Sequence, residues 1–568
     1  MKRLFRVRRC NAIEAILLVL FGMPIIAGLA GTLLPAFGHL PAIGHDAFHI
    51  APWMQLFSTP GFASSLRLSV TTGLAAPLLA LTLAAGFCAA AHGRMRFRAA
   101  GALLAPLLAS PHSAMAIGLA FVLAPSGWLA RLVTPWLTGW TVPPDFASTG
   151  DSFGVALVVG LLVKEVPYLL LAMLAALSQI PVAAHVRAGR SLGYGRGIVW
   201  MKIIFPQVYV QIRLPVYVVL AYSLSVVDMA LVLAPGNPAP LAVLALRWFM
   251  APDVAQYLPA AAAAMLQLLL VLAAIDLWRC GERGASVIGQ AWIARGGRGL
   301  ASEPGIKLAG ALVIGLFALG AASLLGMALW SLTWTWRFPE ALPTAWTLSN
   351  WTSQMHTLAW PLANSVTLGL ATSLTGLVLA IAWFESHDRS HRKTSQLAVQ
   401  LACLPLLVPQ ISFMFGVQVP LLWLHLDGSF VAVAWAHLLF VFPYMVIALA
   451  DPWRALDPRF ARCAAALGAS PARILLAVKL PVLLRPVLIA CAIGFAVSIA
   501  QYLPTLFAGN GRMPTLTTEA MTLASGADRR VTGVYALLQS LLPLLAYAGA
   551  LWLPVLIHGN RRAMPGPA

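Results

Sequence analysis

RCAAALGASPARILLAVKLP, residues 462–481, carries three cations, a glycine and two prolines inside a chain that is 60% hydrophobic and only 10% charged. It is too polar to cross a bilayer, because a span needs roughly 20 consecutive apolar residues. Its local chemistry is nevertheless definite. Just upstream, Asp457-Pro458 reads as an N-cap with proline at the first helical position; the Ala-rich turn 459–467 follows, and Gly468 is placed to end it in a left-handed cap. Ser470-Pro471 starts another helix on the same logic, and Pro481 is expected to end it. The result is two short helices joined at a glycine and held at the membrane surface. A near-copy, RAGRSLGYGRGIVWMKIIFP, occupies residues 187–206, with the same spacing from Gly193 to Pro206 as from Gly468 to Pro481.

The surroundings place the chain in the membrane class. Mean hydropathy is +0.84, with long apolar runs throughout the 568 residues. The balance of 37 Lys and Arg to 18 Asp and Glu, +19 net, would raise nucleic acid as a partner for a soluble chain. In a membrane protein it is the ordinary excess of cations in cytoplasmic loops, so no nucleic acid is expected. Six cysteines (Cys10, Cys88, Cys280, Cys403, Cys463 and Cys491) show no CxxC spacing, which indicates neither a disulfide framework nor a metal cluster. The start, MKRLFRVRRC, resembles the basic end of a signal peptide, but its apolar stretch to about Phe37 is longer than such a segment and reads as a retained first span.

The 20-residue rule gives twelve candidate spans, near 12–35, 64–90, 100–124, 153–178, 208–234, 256–279, 306–333, 361–384, 396–424, 429–450, 485–508 and 532–556. The expected fold class is thus all-α, polytopic, with about twelve transmembrane helices. Cations concentrate at the N-terminus, in HGRMRFR (92–98), in 179–207, in 279–307, in ESHDRSHRK (385–393), in 451–484 and at Arg561-Arg562, which puts both termini and both odd loops in the cytoplasm of a plasma membrane.

Span order from 64 to 250 reappears from 361 to about 525. SSLRLSVTTGLA (64–75) pairs with NSVTLGLATSLT (364–375), PHSAMAIG (111–118) with PQISFMFG (409–416), VPY (166–168) with FPY (442–444), and SVVDMALVLAPGN (225–237) with SIAQYLPTLFAGN (498–510). A long outer loop follows the first span of each copy, at 36–63 and 334–360. The expected organisation is a first half 1–280 with its loop 179–207, a Gly-rich polar linker 281–305, and a second half 306–568 with its loop 451–484. The halves are parallel repeats with a path between them.

The repeated loop resembles the cytoplasmic loop of permease subunits of ATP-binding-cassette importers, whose consensus runs Glu-Ala-Ala, three residues, Gly, nine residues, Ile-x-Leu-Pro. It maps onto Arg187, Ala188, Gly189, Gly193 and Pro206, and onto Arg462, Cys463, Ala464, Gly468 and Pro481. The family's glutamate is arginine in both copies. The resemblance covers nearly the whole chain and implies a type I importer fold, with each loop acting as a coupling helix that docks on an ATPase. This chain contains no GxxxxGK[ST] phosphate loop. The resemblance therefore implies two copies of a separate ATPase subunit, a periplasmic or extracellular solute-binding protein, and no enzymatic activity or cofactor in this chain. A fused chain of this kind is similar to iron(III) and thiamine transport-system permeases, and AQYLPTLFAGNGRMPTLTTEAMTLASG (500–526) looks most like the thiamine branch.

Ionisable groups inside spans usually face an interior or a cavity. Asp228, matched by Gln501, with Tyr222 and Tyr502 nearby, suits a path for a cationic solute; hydrogen bonding of Asp228 and Gln501 across the helix pack suits the pattern equally. Lys164 and Glu165 are adjacent, so they do not face each other and each needs its own partner. His39, His45, Asp46 and His49 form an H-D-x-x-H that lacks the glutamate of a metalloprotease helix, so no metal site is expected. Arg512, Glu519, Asp528, Arg529 and Arg530 offer an outer face for a binding protein. Trp330, Trp334, Trp336, Trp346 and Trp351 read as interfacial anchors. The main rival, a secondary transporter of major-facilitator type, also has twelve spans in two parallel halves. It predicts neither the repeated loop nor its spacing.

Overall fold

The computed structural model describes residues 12–91, 104–297, 303–389, 402–526 and 528–558. Among them ten helices are long and apolar enough to cross a membrane, or eleven when Pro471–Val482 and Leu484–Ile499, bent by 82°, are taken as one span. A shorter apolar helix, Gln410–Trp423, stands where the ninth of the twelve expected spans lies. The architecture is an all-helical, polytopic membrane protein with one small antiparallel strand pair, Thr333–Thr335 with Ala345–Trp346.

Two expected spans are broken. The helix Phe205–Ser225 ends before Val226, which is extended at ψ 132°, and Asp228–Leu233 resumes beyond the break. Likewise Leu484–Ile499 stops short of Leu503–Gly509. After each break comes a nine-residue helix, Leu241–Phe249 and Leu516–Ala524. Its first backbone N–H donates to a serine hydroxyl: Leu241 to Ser69 Oγ at 2.7 Å, Leu516 to Ser365 Oγ at 2.8 Å. This shared bond corrects the repeat register. SVTTGLA at 69–75 pairs with SVTLGLA at 365–371, a slip from the pairing of 64–75 with 364–375. Small hydroxyl residues recur at helical spacing there, so a window matches itself one turn away.

The first span of each copy packs on the third span of the other. Met23–Ala36 crosses Gln410–Trp423 at glycines: a methyl at Gly31 would lie 2.7 Å from the Gly416 carbonyl oxygen, and one at Gly416 would land on the Gly28 carbonyl. Thr32 Oγ1 donates to Gly28 O (3.0 Å) and accepts from the Gly416 N–H (3.1 Å). At the matching crossing, Glu303–Ser331 meets His112–Leu123, and a methyl at Gly118 would lie 2.7 Å from Ser323 O. In lipid, tails are as apolar as leucine, so helices associate through close backbone approach and polar contacts, which small residues permit. The last span of each copy adds a polar stitch to the same partner, with Ser412 Oγ donating to Ala264 O (2.6 Å) and Gln539 Nε2 to Ser113 Oγ (2.8 Å).

Residues 281–294 of the expected Gly-rich linker are helical. They continue the 38-residue helix Tyr257–Ala294, despite Gly281, Gly284 and Gly289. The helix persists because side chains of the neighbouring Phe205–Ser225 hold it. Glu282 pairs with Arg213 and accepts from Tyr209 Oη (2.5 Å) and Tyr217 Oη (3.0 Å).

At the face opposite the two loops, Arg131 is buried and bonded to the carbonyls of Arg337 (2.7 Å), Trp336 (3.3 Å) and Glu340 (3.3 Å). Its guanidinium lies 4.9 Å from the Trp336 ring and 5.7 Å from that of Trp330. This corrects the reading of those two tryptophans as lipid anchors. They are buried walls around a cation that ties the first copy to the second, whereas Trp334 and Trp346 are exposed.

Candidate functional site

The two odd loops share more than spacing. In the first, Val182–Ser191 is followed by Gly193 at φ +79°; in the second, Pro458–Ala466 is followed by Gly468 at φ +80°. Asp457 caps its helix by accepting from Arg459 N–H (2.8 Å), and Ser470 accepts from Arg473 N–H (3.3 Å). A π-helical turn then occurs at the same register in each, Trp200–Ile204 and Leu475–Lys479, just ahead of the proline. Here the expectation that proline ends the helix is corrected. The wide turn moves the local bonding to i→i−5, as Phe205 N–H to Trp200 O shows, so the helix runs on through Pro206 to Ser225. In the second loop it passes Pro481 and breaks at Leu483 instead. Arg187, Ala188, Arg462 and Cys463 are exposed, and Ala464 is partly so; Gly189 is buried against Val199. Leu192 and Leu467, each just before the left-handed glycine, are 65% and 88% exposed.

Each loop is anchored differently. Lys479 Nζ donates to Glu385 Oε2 and Asp388 Oδ2, both at 2.7 Å, and Trp453 Nε1 shares Asp388 Oδ2 at 3.0 Å. Lys202 Nζ instead donates to the carbonyls of Trp292 (3.1 Å) and Gly297 (3.2 Å) and lies 4.6 Å from the Trp292 ring. Replacing Lys479 with methionine strands Glu385, a buried carboxylate, whose remaining partner among the described residues is the half-exposed Arg389 (3.0 Å). The expected loss is about 3 kcal/mol, read as a lowered unfolding temperature of the detergent-solubilised protein, and Glu385→Gln in the same chain should recover part of it.

The polar residues of the spans converge at the break after Ser225. Tyr222 Oη donates to Asp228 Oδ1 (3.1 Å), and the Tyr222 ring packs 4.6 Å from His112. His112 Nε2 lies 3.6 Å from Glu165 Oε1. Tyr502 is within electrostatic reach of Asp228, and Tyr444 of Tyr168 and Tyr222, so residues of both copies meet here. Asp228, Tyr222, Tyr502, Tyr168, Tyr444 and His112 are all half-buried. Gln501 turns aside, its amide donating to Val497 O (3.1 Å) on its own helix. An acid, a histidine and several phenols at a break in discontinuous helices can coordinate a small polar molecule.

Over 546 residues, 94% of this chain and 95% of the relative, the chain is 33% identical to the inner membrane ABC transporter permease protein YnjC of Escherichia coli K12. The chain belongs to the ATP-binding-cassette transporter permeases. A stretch of 174 residues of the permease is also 27% identical to the spermidine/putrescine transport system permease protein PotC homolog of Mycoplasma pneumoniae, covering 60% of that protein. No family model matches the chain. The permease is therefore an inner-membrane, multi-pass transporter subunit rather than an enzyme.

Within the permease, Lys164 stands within electrostatic reach of Glu165, His112 and Asp228 but makes its hydrogen bonds elsewhere. Its ammonium donates to the carbonyls of Leu107 and Ser110, both at 2.6 Å, where a chain turn leaves them without helical partners. Glu165, one residue on, points instead to His112. His39, His45, Asp46 and His49 do not gather: His39 Nδ1 contacts the Asp46 carbonyl (3.0 Å) and its ring stacks on Phe48 (4.7 Å), and among the described residues no three His, Cys, Asp or Glu could hold a metal. The cations expected at an outer face are engaged as well. Arg529 Nη2 donates to Ser126 Oγ (3.0 Å), and Arg530 pairs with Asp528 (3.0 Å), whose carboxyl it holds below the usual range. His112, Tyr168, Tyr444 and the Lys479 clamp were missed in the sequence, whereas Glu165 was singled out there as an ionisable group in need of a partner. The one available signal for the rest was a histidine inside an otherwise apolar span.

Proposed function

We propose that this permease forms the solute path of a binding-protein-dependent importer for a small cationic solute such as thiamine. Two copies of a separate ATPase drive it, one docked on each loop at 179–207 and 451–484. The observation that carries this is the duplicated loop: left-handed glycine, exposed leucine and π turn at one register in both copies. A loop stiffened by caps and bonded to span ends passes a push on instead of absorbing it. Arg187 and Arg462, where the family has glutamate, are exposed cations for acidic groups on the ATPase. The halves are 1–280 and 306–568, with both termini on the cytoplasmic side. Asp228, Tyr222 and Tyr502 line the path, with Gln501 shaping its wall; the acid and phenols favour a cation.

The test is reconstitution with a candidate ATPase subunit and a candidate secreted binding protein. ATP-dependent thiamine accumulation is the expected result, and uptake that persists without ATP and ATPase overturns the importer reading in favour of a secondary transporter. Asp228→Asn keeps the Tyr222 contact but removes the charge. It should raise the half-saturating concentration about tenfold, equivalent to about 1.4 kcal/mol, with the level of protein in the membrane unchanged.

A further inference from the structure

The two seams between the halves, related by the repeat, are not alike at the face opposite the loops. At one, Phe249 stacks on Phe415 with centroids 4.2 Å apart, Phe507 meets Phe249 edge-on at 5.9 Å, and Tyr257 meets Phe415 at 5.7 Å. The repeat places Ile117 opposite Phe415 and Ala234 opposite Phe507. The nine-residue helices end at Phe249 and Ala524. Eight residues further on stand Tyr257 and Thr532, a spacing kept in register by Asp253 and Asp528, whose carboxylates each accept the N–H two residues ahead, at 3.0 Å and 2.9 Å. Four aromatic rings at one seam are thus isoleucine, threonine and two alanines at the other.

At three of these positions, Ile117, Ala524 and Thr532, there is a cleft of about 250 Å³, walled also by Ala120, Phe121 and Val232, with Arg529 beside it. That is far more than one water requires. The Arg529 guanidinium is fixed, bonded to Ser126 and 5.5 Å from the Trp330 ring. Two of the walls are the helices His112–Leu123 and Asp228–Leu233, whose other ends carry His112 and Asp228 of the polar cluster. The cleft and the cluster therefore lie at opposite ends of the same two helices.

We infer that the solute path opens to the outer face through this one seam, between His112–Leu123 and Asp228–Leu233 on one side and Leu516–Ala524 and Arg529–His558 on the other, while the aromatic quartet seals its counterpart. The inference rests on the reading of the chain as a solute path and makes the permease one-sided despite its repeat. The occupant is the transported solute, a small water-borne molecule entering past Ala120 toward Asp228.

The test uses the full chain with its six cysteines replaced by alanine, in sealed vesicles exposing the face opposite the loops. Ala120→Cys and its repeat partner Gln418→Cys are compared for reaction with trimethylammonium-ethyl methanethiosulfonate, a membrane-impermeant cation. Ala120→Cys should react at least ten times faster than Gln418→Cys. Adding Ala524→Phe and Thr532→Tyr should remove that advantage, and adding Phe249→Ala and Tyr257→Thr to the Gln418→Cys chain should raise its rate at least tenfold, so that either variant suffices if the other fails to fold. Equal rates at the two seams, an advantage that survives filling, or slow reaction at Ala120→Cys, as an acyl chain seated in the cleft would give, overturn the inference. The reaction needs no ATP, so its outcome is separate from whether an ATPase drives the chain.

Discussion

Replacing Gly468 with isoleucine is expected to lower uptake about tenfold, with the amount of protein in the membrane unchanged. Gly468 sits at φ +80° with no atom within 4 Å of where a Cβ would stand, so a new side chain meets nothing. The cost is entirely in the backbone: the left-handed region disfavours ordinary side chains by about 1–2 kcal/mol, and β-branched residues most. The loop escapes that cost by abandoning the turn, which swings Leu467 and Arg462 out of register with a docking partner while leaving the spans packed. Asparagine tolerates this conformation, so Gly468→Asn should retain most of the uptake. Uptake in proteoliposomes, with the protein level read by immunoblot, checks both, and full activity in the isoleucine variant refutes the docking role.

A second substitution acts on assembly. Gly416→Val is expected to lower the folded protein recovered from membranes at least tenfold, measured as the monodisperse fraction of a detergent extract. The new carbon would coincide with the backbone of Gly28 and crowd the Thr32 N–H at 2.7 Å, where no rotamer change helps, so the helices must separate and give up the bond from the Gly416 N–H to Thr32 Oγ1 as well. Gly118→Ala at the matching crossing meets Ser323 O at 2.7 Å and should be milder. Wild-type recovery of the valine variant would mean that the crossing is not a required contact.

What was legible in the sequence was local. The caps at Asp457 and Ser470 and the left-handed Gly468 follow from side-chain chemistry within a few residues, and the structure has all three. The break after Ser225 was hidden because Val226 and Val227 are apolar and β-branched, with neither glycine nor proline to mark the turn. The reverse error befell residues 281–294, where glycines advertise a linker but Glu282 and Trp292, gripped from the neighbouring helix, keep the chain helical. Proline misled as well, because a π turn ahead of it is invisible in composition. In the candidate site, Asp228 and Tyr222 were found through their charge and polarity, whereas the His112–Glu165 contact arises from packing between distant spans. The unequal seams need both kinds of information: the repeat says which residues correspond, and only the fold says that they face one another.

The exchange of first spans bears on why the two copies share one polypeptide. Met23–Ala36 is embraced by the later copy and Glu303–Ser331 by the earlier one, so the copies are already clasped like two hands. A backbone cut between residues 297 and 303 should leave a particle that still travels as one on a sizing column. Covalent continuity here secures equal dosage and correct pairing during synthesis, and mechanical cohesion comes from the clasp.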